Sequence, residues 1–499
     1  MSRHIAVFDV GKSNKKLVIF DQHMQQVAAE YHEFPAHEQD VLHTEQTRAV
    51  SEWLLATLGQ LAKVYDIGSI GITTHGACGA GIDANGELVE PVVAYTTDPG
   101  ADFHRAFHAR CGDTRSLHRE LATPALGYLL NLGLGASYIR ERRPEQWAQI
   151  HHFLPYPQYF AHLLTGVVSA EPTMIGCHSY LYDYQRHNYS RIADELRLRE
   201  KLPDLVPSGQ VIGTVSEVVA QATSLPSDCQ VIAGVHDSNA SLVPYLMLAD
   251  GRFILNSSGT WCVLMRPTDR VHLGDEQLDI GVFYNCSVFG DPVATALLMG
   301  GQERLNWLQL FERQYPDWQL PDYDAEAAAA IIEAGEDFIL PGAMPGTGPF
   351  PRSRSRLVHG NQVYELSALL DGTPAKGLQN PARDYALLSI SLAVQTAAML
   401  RNLEPEPGMT IYIEGGFRHN QGYQAVLSAL MPTVNLVISN LKEATAFGTG
   451  LLALAALRGC QLNQLSDSVQ IETKPVPPAS FAGLEAYRQR FEQLASAKA

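Results

Sequence analysis

The sequence predicts an α/β protein made of two similar halves. Short apolar runs of strand length alternate with segments whose apolar residues recur at helical spacing. The opening "IAVFDVGKSNKKLVIFD" reads as strand, small turn, strand, and "GRFILNSSGTWCVLM" (251–265) repeats that pattern about 245 positions later, as an internal duplication would. With 499 residues and 46% hydrophobic content, the chain exceeds one ordinary core and suits two domains.

The elements follow in order. Ile5–Phe8 and Leu17–Phe20 flank a polar, basic turn that runs from Asp9 to Lys16. A helix is predicted from about Thr47 to Lys63, because Val50, Leu54, Thr57, Leu58 and Leu61 fall on one face. A strand over 67–73 leads into "THGACGAGID", the turn Ala84-Asn85-Gly86 and "ELVEPVVAY". Residues 101–205 read as mostly helical and irregular. The apolar run Val231–Ala233 ends in His236-Asp237 and the start of a helix. In the second half, "PGAMPGTGPFPRSRSR" (341–356) is a long loop. "MTIYIEGGFRHNQGYQAVLSALM" (409–431) reads as strand, Gly-Gly turn and amphipathic helix. The expected domains are 1–243 and 244–499, with the last helix packing back on the first.

Composition narrows the partners. A net charge of −17 argues against nucleic acid or an anionic membrane as the main partner, though a local basic cluster can still hold an anion. Seven scattered cysteines without Cys-x-x-Cys read as reduced thiols in a cytoplasm-like compartment. The start enters a strand directly, without the apolar stretch of a signal peptide, and "ATAFGTGLLALAAL" (444–457) is too short to span a bilayer. The expectation is a cytoplasmic protein; a homodimer is compatible with it.

Several segments carry candidate chemistry, and each has a plain structural alternative. In the first turn, Gly11 allows close backbone approach, turn N–H groups can cradle phosphate, and lysine adds charge. Asp9 there can hold Mg²⁺ through water; an ordinary hairpin accounts for the same residues. Ser258, Gly259 and Thr260 suit phosphate equally, or a simple turn. Gly415-Gly416 before a helix suits an anion or a flat ligand, or a tight connection. Asp237 can accept a proton in phosphoryl transfer, or cap the next helix. His236 and His75 are more often structural. Arg352, Arg354 and Arg356 suit an anion or a solvated loop. There is no zinc spacing and no Gly-x-Ser-x-Gly elbow.

Taken in order, these segments resemble the FGGY carbohydrate kinases of the sugar kinase/actin/Hsp70 superfamily, over nearly the whole chain. Asp9-Val-Gly11-Lys-Ser13 resembles the family's opening, "GITTHGACGAGIDANGELVEPVVAY" its sugar-side strand and turn, and "AGVHDSNAS" its catalytic segment. "SSGTW" resembles its second phosphate hairpin, and "IEGGFRHNQGYQAVLSALM" its adenosine motif. "HDSNA…LNSSGTWCVLM" is similar to the L-rhamnulokinase and L-fuculokinase branch. Several departures stand out, among them "THGACG", which lacks the branch's usual aromatic or Val/Asp residues near that position. Lys12-Ser13-Asn14 replaces Gly-Thr-Thr/Ser, Lys16 stands near the usual arginine, and "TTDPGADF" lacks the usual Asp-x-Arg.

The resemblance implies two actin-like (ribonuclease H-like) α/β domains with an interdomain cleft for ATP, Mg²⁺ and a small-molecule sugar. It implies Asp237 as catalytic base and Asp9, through water, with Asp237 as the Mg²⁺ side. Gly11, Lys12, Ser13, Asn14, Lys16, Ser258, Gly259, Thr260 and Gly301 fall on the phosphates. Gly415, Gly416, Phe417 and Asn420 fall on adenosine, and His75, Gly76, Asp98 and His236 on the sugar. The implied reaction phosphorylates a primary hydroxyl of L-rhamnulose or L-fuculose. The alternatives are another ketose or polyol such as xylulose or ribulose, a signalling hydroxyketone, or a non-catalytic ATP-binding regulator. The retained Asp237 argues against the last.

Overall fold

The computed structural model describes residues 3–12, 14–34, 37–39, 41–248, 252–344 and 346–497. Two mixed sheets organise it. The first runs in the order Val211–Thr214, Gln230–Ile232, Ile67–Thr74, His4–Val10, Asn14–Phe20, Gln26–Glu33. The second runs Thr473–Pro475, Asn435–Ser439, Thr410–Gly415, Phe253–Ser258, Cys262–Pro267, Pro292–Leu298, Phe283–Cys286. In each, an antiparallel hairpin lies beside a parallel strand from farther along the chain. His4–Val10 pairs with Ile67–Thr74, and Phe253–Ser258 with Thr410–Gly415. The two orders match strand for strand through the centre, as the repeated hairpins predict.

The central strands are covered on both faces, so they read as continuous apolar runs rather than alternating ones. Ile5, Ala6, Val7 and Phe8 are all fully buried, as are Phe253, Ile254 and Leu255. The predicted helix near 47–63 is Thr47–Leu61, packed on the first sheet through Val50, Leu54 and Leu58. The middle segment forms its own cluster around Phe103, Phe107, Leu117 and Tyr180. One of its helices, Thr114–Leu121, is capped by Asp113, whose side chain accepts from Arg115 N and Ser116 N.

Two helices cross between the sheets. Asp237–Leu248 follows the first sheet, yet packs Leu242 and Tyr245 with Phe253, Leu255 and Met265 of the second. Ala444–Arg458 follows the second sheet, yet packs Leu451 and Leu454 with Ile5, Val7 and Val18 of the first. At the crossing, a Cβ on Gly448 would stand 1.9 Å from the Ala240 carbonyl oxygen, so only glycine lets the helices meet. The boundary expected between 243 and 244 falls inside the first of these helices. The last helix, Leu484–Ser496, does not return to the first sheet. Tyr487 and Phe491 are buried in the second half's core, and the Tyr487 hydroxyl donates to the Asp337 carbonyl at 2.8 Å. It is Ala444–Arg458 that returns.

All seven cysteines are free. Among the described residues, no helix is long and apolar enough to cross a membrane.

Candidate active site

The two hairpin turns face each other across a cavity of about 340 Å³. The first hairpin contributes Asp9, Gly11, Lys12, Asn14 and Lys16, and the second Ser257, Gly259, Thr260 and Trp261. His75, Gly76, Tyr95, Leu130, His178, His236, Asp237, Phe283 and Asn285 are among the other residues of the wall. The predicted Ser13 lies outside the described residues.

Asp237 is the first residue of its helix, and its carboxylate keeps 29% of its surface open to the cleft. Oδ1 accepts from Ser238 N at 2.6 Å and Ser238 Oγ at 3.2 Å, and it lies 3.2 Å from His236 Nε2. Asp237 therefore does not cap the helix as expected: it is the first helical residue, and its carboxylate takes the N–H of the very next residue. Among the described residues no hydrogen bond reaches Oδ2, so that oxygen is left for a ligand. Burial raises the Asp237 pKa above the ordinary carboxylate value, and His75 works against the rise.

The tautomer of His236 follows from its neighbours. The Asn239 amide nitrogen contacts the Thr173 carbonyl at 3.4 Å and His236 Nδ1 at 3.1 Å. A carbonyl only accepts, so the amide N–H₂ faces both groups and Nδ1 accepts. Nε2 then carries the proton and points it at Asp237. Burial holds the His236 pKa down at about 3, so the ring is neutral. A Cβ on Gly76 would stand 2.8 Å from Nε2, which explains the glycine two residues beyond the Ile67–Thr74 strand.

Lys16 ties the halves together. It faces Asp9 across the hairpin, with Nζ 3.5 Å from Asp9 Oδ2. It also donates to Glu443 Oε2 at 2.6 Å, at the start of the returning helix. Burial works against the ammonium, but Asp9 and Glu443 outweigh it and hold the Lys16 pKa above its ordinary value. Asp9 is 4% exposed, and burial, with a contribution from Asp237, raises its pKa to about 6 against the pull of Lys16.

Lys12 does not face a phosphate loop freely. Its Nζ donates to Glu45 Oε1 at 2.5 Å and sits 5.0 Å from the Tyr95 ring centroid. Glu45 also lies 3.7 Å from His75 Nε2. Against the effect of burial, His75 and Lys12 hold the Glu45 carboxyl below its ordinary value. His75 Nδ1 donates to the Gly76 carbonyl at 3.1 Å, and its buried Nε2 has no hydrogen-bond partner among the described residues. Asp98 is not brought to this wall. It is exposed, and its carboxylate accepts from Gly100 N. Thr97 is buried and closes on the backbone of His43 in both directions at 3.0 Å. Neither replaces the missing Asp-x-Arg at the cavity.

At the second hairpin, Gly259 and Thr260 are exposed to the cavity, but Ser258 is not. The Ser258 hydroxyl donates to the Glu414 carbonyl and accepts from Phe417 N at 3.0 Å, tying the hairpin to the Gly-Gly turn. A Cβ on Gly301 would stand 1.9 Å from the Gly259 carbonyl oxygen, so the Gly300–Gln314 helix starts hard against this turn. Gly415, at φ +70°, and Gly416 are exposed. A short 3₁₀ turn, Gly416–His419, separates them from the helix, so the helix does not begin on the glycines as the sequence predicts. Phe417 is buried, 4.8 Å from the Tyr423 ring. Asn420 caps the Gln421–Leu430 helix through Tyr423 N at 2.9 Å. Both side chains are occupied in the core. Of the three arginines at 352–356, Arg352 and Arg354 are exposed, while Arg356 donates to the Leu494 carbonyl.

Sequence reasoning missed Glu45, Tyr95, His178, Asn285 and Glu443. Tyr95 ends the segment that resembles the sugar-side strand and turn, but nothing there singles out its ring; the other four stand in no recognisable motif. An asparagine in the fully buried strand Phe283–Cys286 was the one available signal.

Two matching sheets joined by crossed helices over a cleft are the architecture of the actin-like α/β proteins. Comparison with known proteins narrows that class. Residues 4–244 match the FGGY family of carbohydrate kinases, N-terminal domain, and residues 250–462 match carbohydrate kinase FGGY, C-terminal domain. The chain belongs to the FGGY family of carbohydrate kinases. An L-fuculokinase of Salmonella typhi is 30% identical over 197 residues, 39% of this chain and 41% of that protein. A probable L-xylulose kinase of Pasteurella multocida is 24% identical over 374 residues, 72% of this chain and 70% of that protein. The match therefore spans about two fifths of the fuculokinase's length. A carbohydrate kinase structure from Novosphingobium aromaticivorans superposes with a TM-score of 0.78 at 25% identity, over 99% of this chain and 98% of that one.

Proposed function

We propose that the protein transfers the γ-phosphate of ATP to a primary hydroxyl of a ketose, with L-fuculose or L-rhamnulose as the preferred acceptor and the 1-phosphate as product. The observation that carries this reading is the Asp237 carboxylate. Its Oδ1 is fixed by Ser238 and His236, and its Oδ2 is left toward the cleft, between two glycine-bearing turns. The first domain, near residues 1–243, holds the sugar. The second, near 244–499, holds adenosine on the exposed face of Gly415 and Gly416.

Asp237 takes the proton from the attacking hydroxyl, and its raised pKa makes it a better acceptor than an ordinary carboxylate. Backbone groups at Gly11, Gly259 and Thr260, with Asn14 and Lys16, surround the phosphates, and Gly301 lets the second turn close. Lys12, held by Glu45, belongs with His75 and Gly76 at the sugar end. Asp9 and Asp237 are two oxygen-ligand carboxylates in one cleft, one raising the pKa of the other, and they fit a hard divalent cation. Asp9 and Asp237 would hold Mg²⁺, which would supply charge neutralisation for the phosphates. Closure about the crossed helices excludes water and so suppresses ATP hydrolysis.

The apolar wall of Tyr95, Leu130, Trp261 and Phe283 favours a substrate with a methyl terminus, as in a 6-deoxy-ketohexose. A second reading, a pentulose such as L-xylulose, draws on the longer match to the probable L-xylulose kinase. Sugar-dependent ADP release over L-fuculose, L-rhamnulose, L-xylulose, D-xylulose and D-ribulose separates them. The highest kcat/KM with a 6-deoxy sugar supports the first, and the highest with a pentulose replaces it. ATP binding with no sugar-dependent release across the panel supports a non-catalytic regulator.

Acid should inactivate the protein. Turnover needs Asp9 and Asp237 ionised, so kcat falls as pH drops through about 6, with the two groups titrating as a pair. A kcat profile still flat well below about pH 6 contradicts this. The stability sign is opposite. Asp9 binds its proton more tightly folded than at its ordinary value of 3.8, so its contribution is full below that value and is lost as pH rises to about 6.

A further inference from the structure

Beside the proposed base, His236, which fixes Asp237 Oδ1, lies in a cluster with Cys177 and His178, two residues given no role in phosphoryl transfer. Cys177, His178 and His236 are all buried, and each offers one ligand atom within 4.8 Å of the other two. Cys177 Sγ and His236 Nε2 are 3.3 Å apart, close to the ligand–ligand spacing around a four-coordinate ion. His178 Nδ1 is buried with no hydrogen-bond partner among the described residues. Both imidazoles are neutral, since burial holds each pKa down at about 3, so neither has to shed a proton to bind a metal.

We propose that Cys177, His178 and His236 form a site for a borderline-soft divalent cation of the Zn²⁺ type, and that filling it stops turnover. One sulfur and two imidazole nitrogens select such an ion over Mg²⁺, which prefers an all-oxygen set. Binding releases the Cys177 proton to solvent. It also reverses the His236 tautomer, because Nε2 must offer its lone pair to the metal. The proton then sits on Nδ1, where it needs an acceptor. Asn239 Oδ1 is buried without a partner, and rotation of that amide turns it onto Nδ1–H. The flip gives Nδ1–H an acceptor and takes Asn239 Nδ2 off the Thr173 carbonyl, so one hydrogen bond is exchanged for another. Metal binding also removes the Nε2–H donor from Asp237 Oδ1 and places a cation beside that carboxylate, so Asp237 loses both its orientation and its basicity.

The effect on turnover rests on the proposed kinase activity; the binding does not. Metal binding is therefore measured first, on the chelator-treated full chain without sugar or nucleotide. Co²⁺ alone serves as the spectroscopic probe and Zn²⁺ alone as the calorimetric one. One equivalent of Co²⁺ should bind with a thiolate-to-metal charge-transfer band. Cys177→Ser and Cys177→Ala should lose that band and weaken Zn²⁺ at least about tenfold. The serine variant is nearly isosteric and can keep a hydrogen bond to His236, so a fold failure of the alanine variant leaves the test intact. No charge-transfer band in the wild type, or the same band in the serine variant, overturns the site. Micromolar Zn²⁺ should then inhibit sugar-dependent ADP release in the wild type and spare Cys177→Ser, which keeps its metal-free rate. Binding without inhibition overturns the coupling to turnover and leaves the site.

Discussion

Asp237→Asn lowers kcat by about 10²–10⁴-fold while the protein stays folded and still binds ATP. The size follows from the role: a positioned general base supplies about that factor. The specificity follows from the geometry. Asparagine keeps an oxygen that can accept from Ser238 N, so the Asp237–Leu248 helix retains its first turn. What it loses is the basic Oδ2 facing the cleft. The substitution also removes a negative charge that raises the Asp9 pKa, so the acid limb of the remaining activity moves down. A thermal midpoint near wild type with kcat within about threefold of wild type contradicts the general-base assignment.

Gly448→Ala loosens the joint between the halves. The added Cβ would stand 1.9 Å from the Ala240 carbonyl oxygen and 3.3 Å from Val243 Cβ, and a Cβ pressed on a backbone carbonyl cannot yield without the helices parting. Overpacking of this kind costs about 1–3 kcal/mol, seen as a lower thermal midpoint. The same displacement moves Asp237, at the head of one helix, relative to Gly259 and Thr260. A misplacement of about 1 Å can cost about 10²-fold, so kcat should fall too. Gly135→Ala is the control. Gly135 lies in the Leu132–Arg142 helix with nothing within 4 Å of the added carbon, and alanine there should be neutral or stabilising by up to about 1 kcal/mol. Equal midpoints and rates for Gly448→Ala and wild type contradict the crossing as a tight joint.

The pattern of the fold is readable in the chain because it is periodic and repeated. Fully buried central strands leave continuous apolar runs, and two such runs around a small turn occur twice. The path of the returning helix is not readable. "ATAFGTGLLALAAL" is apolar nearly all round, so nothing in it says which sheet it covers. The site divides the same way. Asp9, Gly11, Asp237, Gly259 and Thr260 sit in turns or at the ends of elements whose residue types announce them, and the structure brings them to one cavity. Asp98 was expected by position after "VVAY", but a turn closed on Gly100 N takes its side chain away. Lys12 reads as a phosphate contact because it is a lysine in a glycine turn. Glu45, at the end of a strand far along the chain, decides otherwise. Ser258, Phe417 and Asn420 show the same limit, since a side chain's neighbours in space determine whether it is free.

The most direct test is the fate of the γ-phosphate. ATP carrying a labelled γ-phosphate is incubated with Mg²⁺, the full chain and the ketose of highest kcat/KM, and the products are separated. The account predicts one label on the sugar's primary hydroxyl for each ADP formed, dependent on sugar and lost in Asp237→Asn. ADP formed at the same rate without sugar, or label released only as inorganic phosphate, contradicts it.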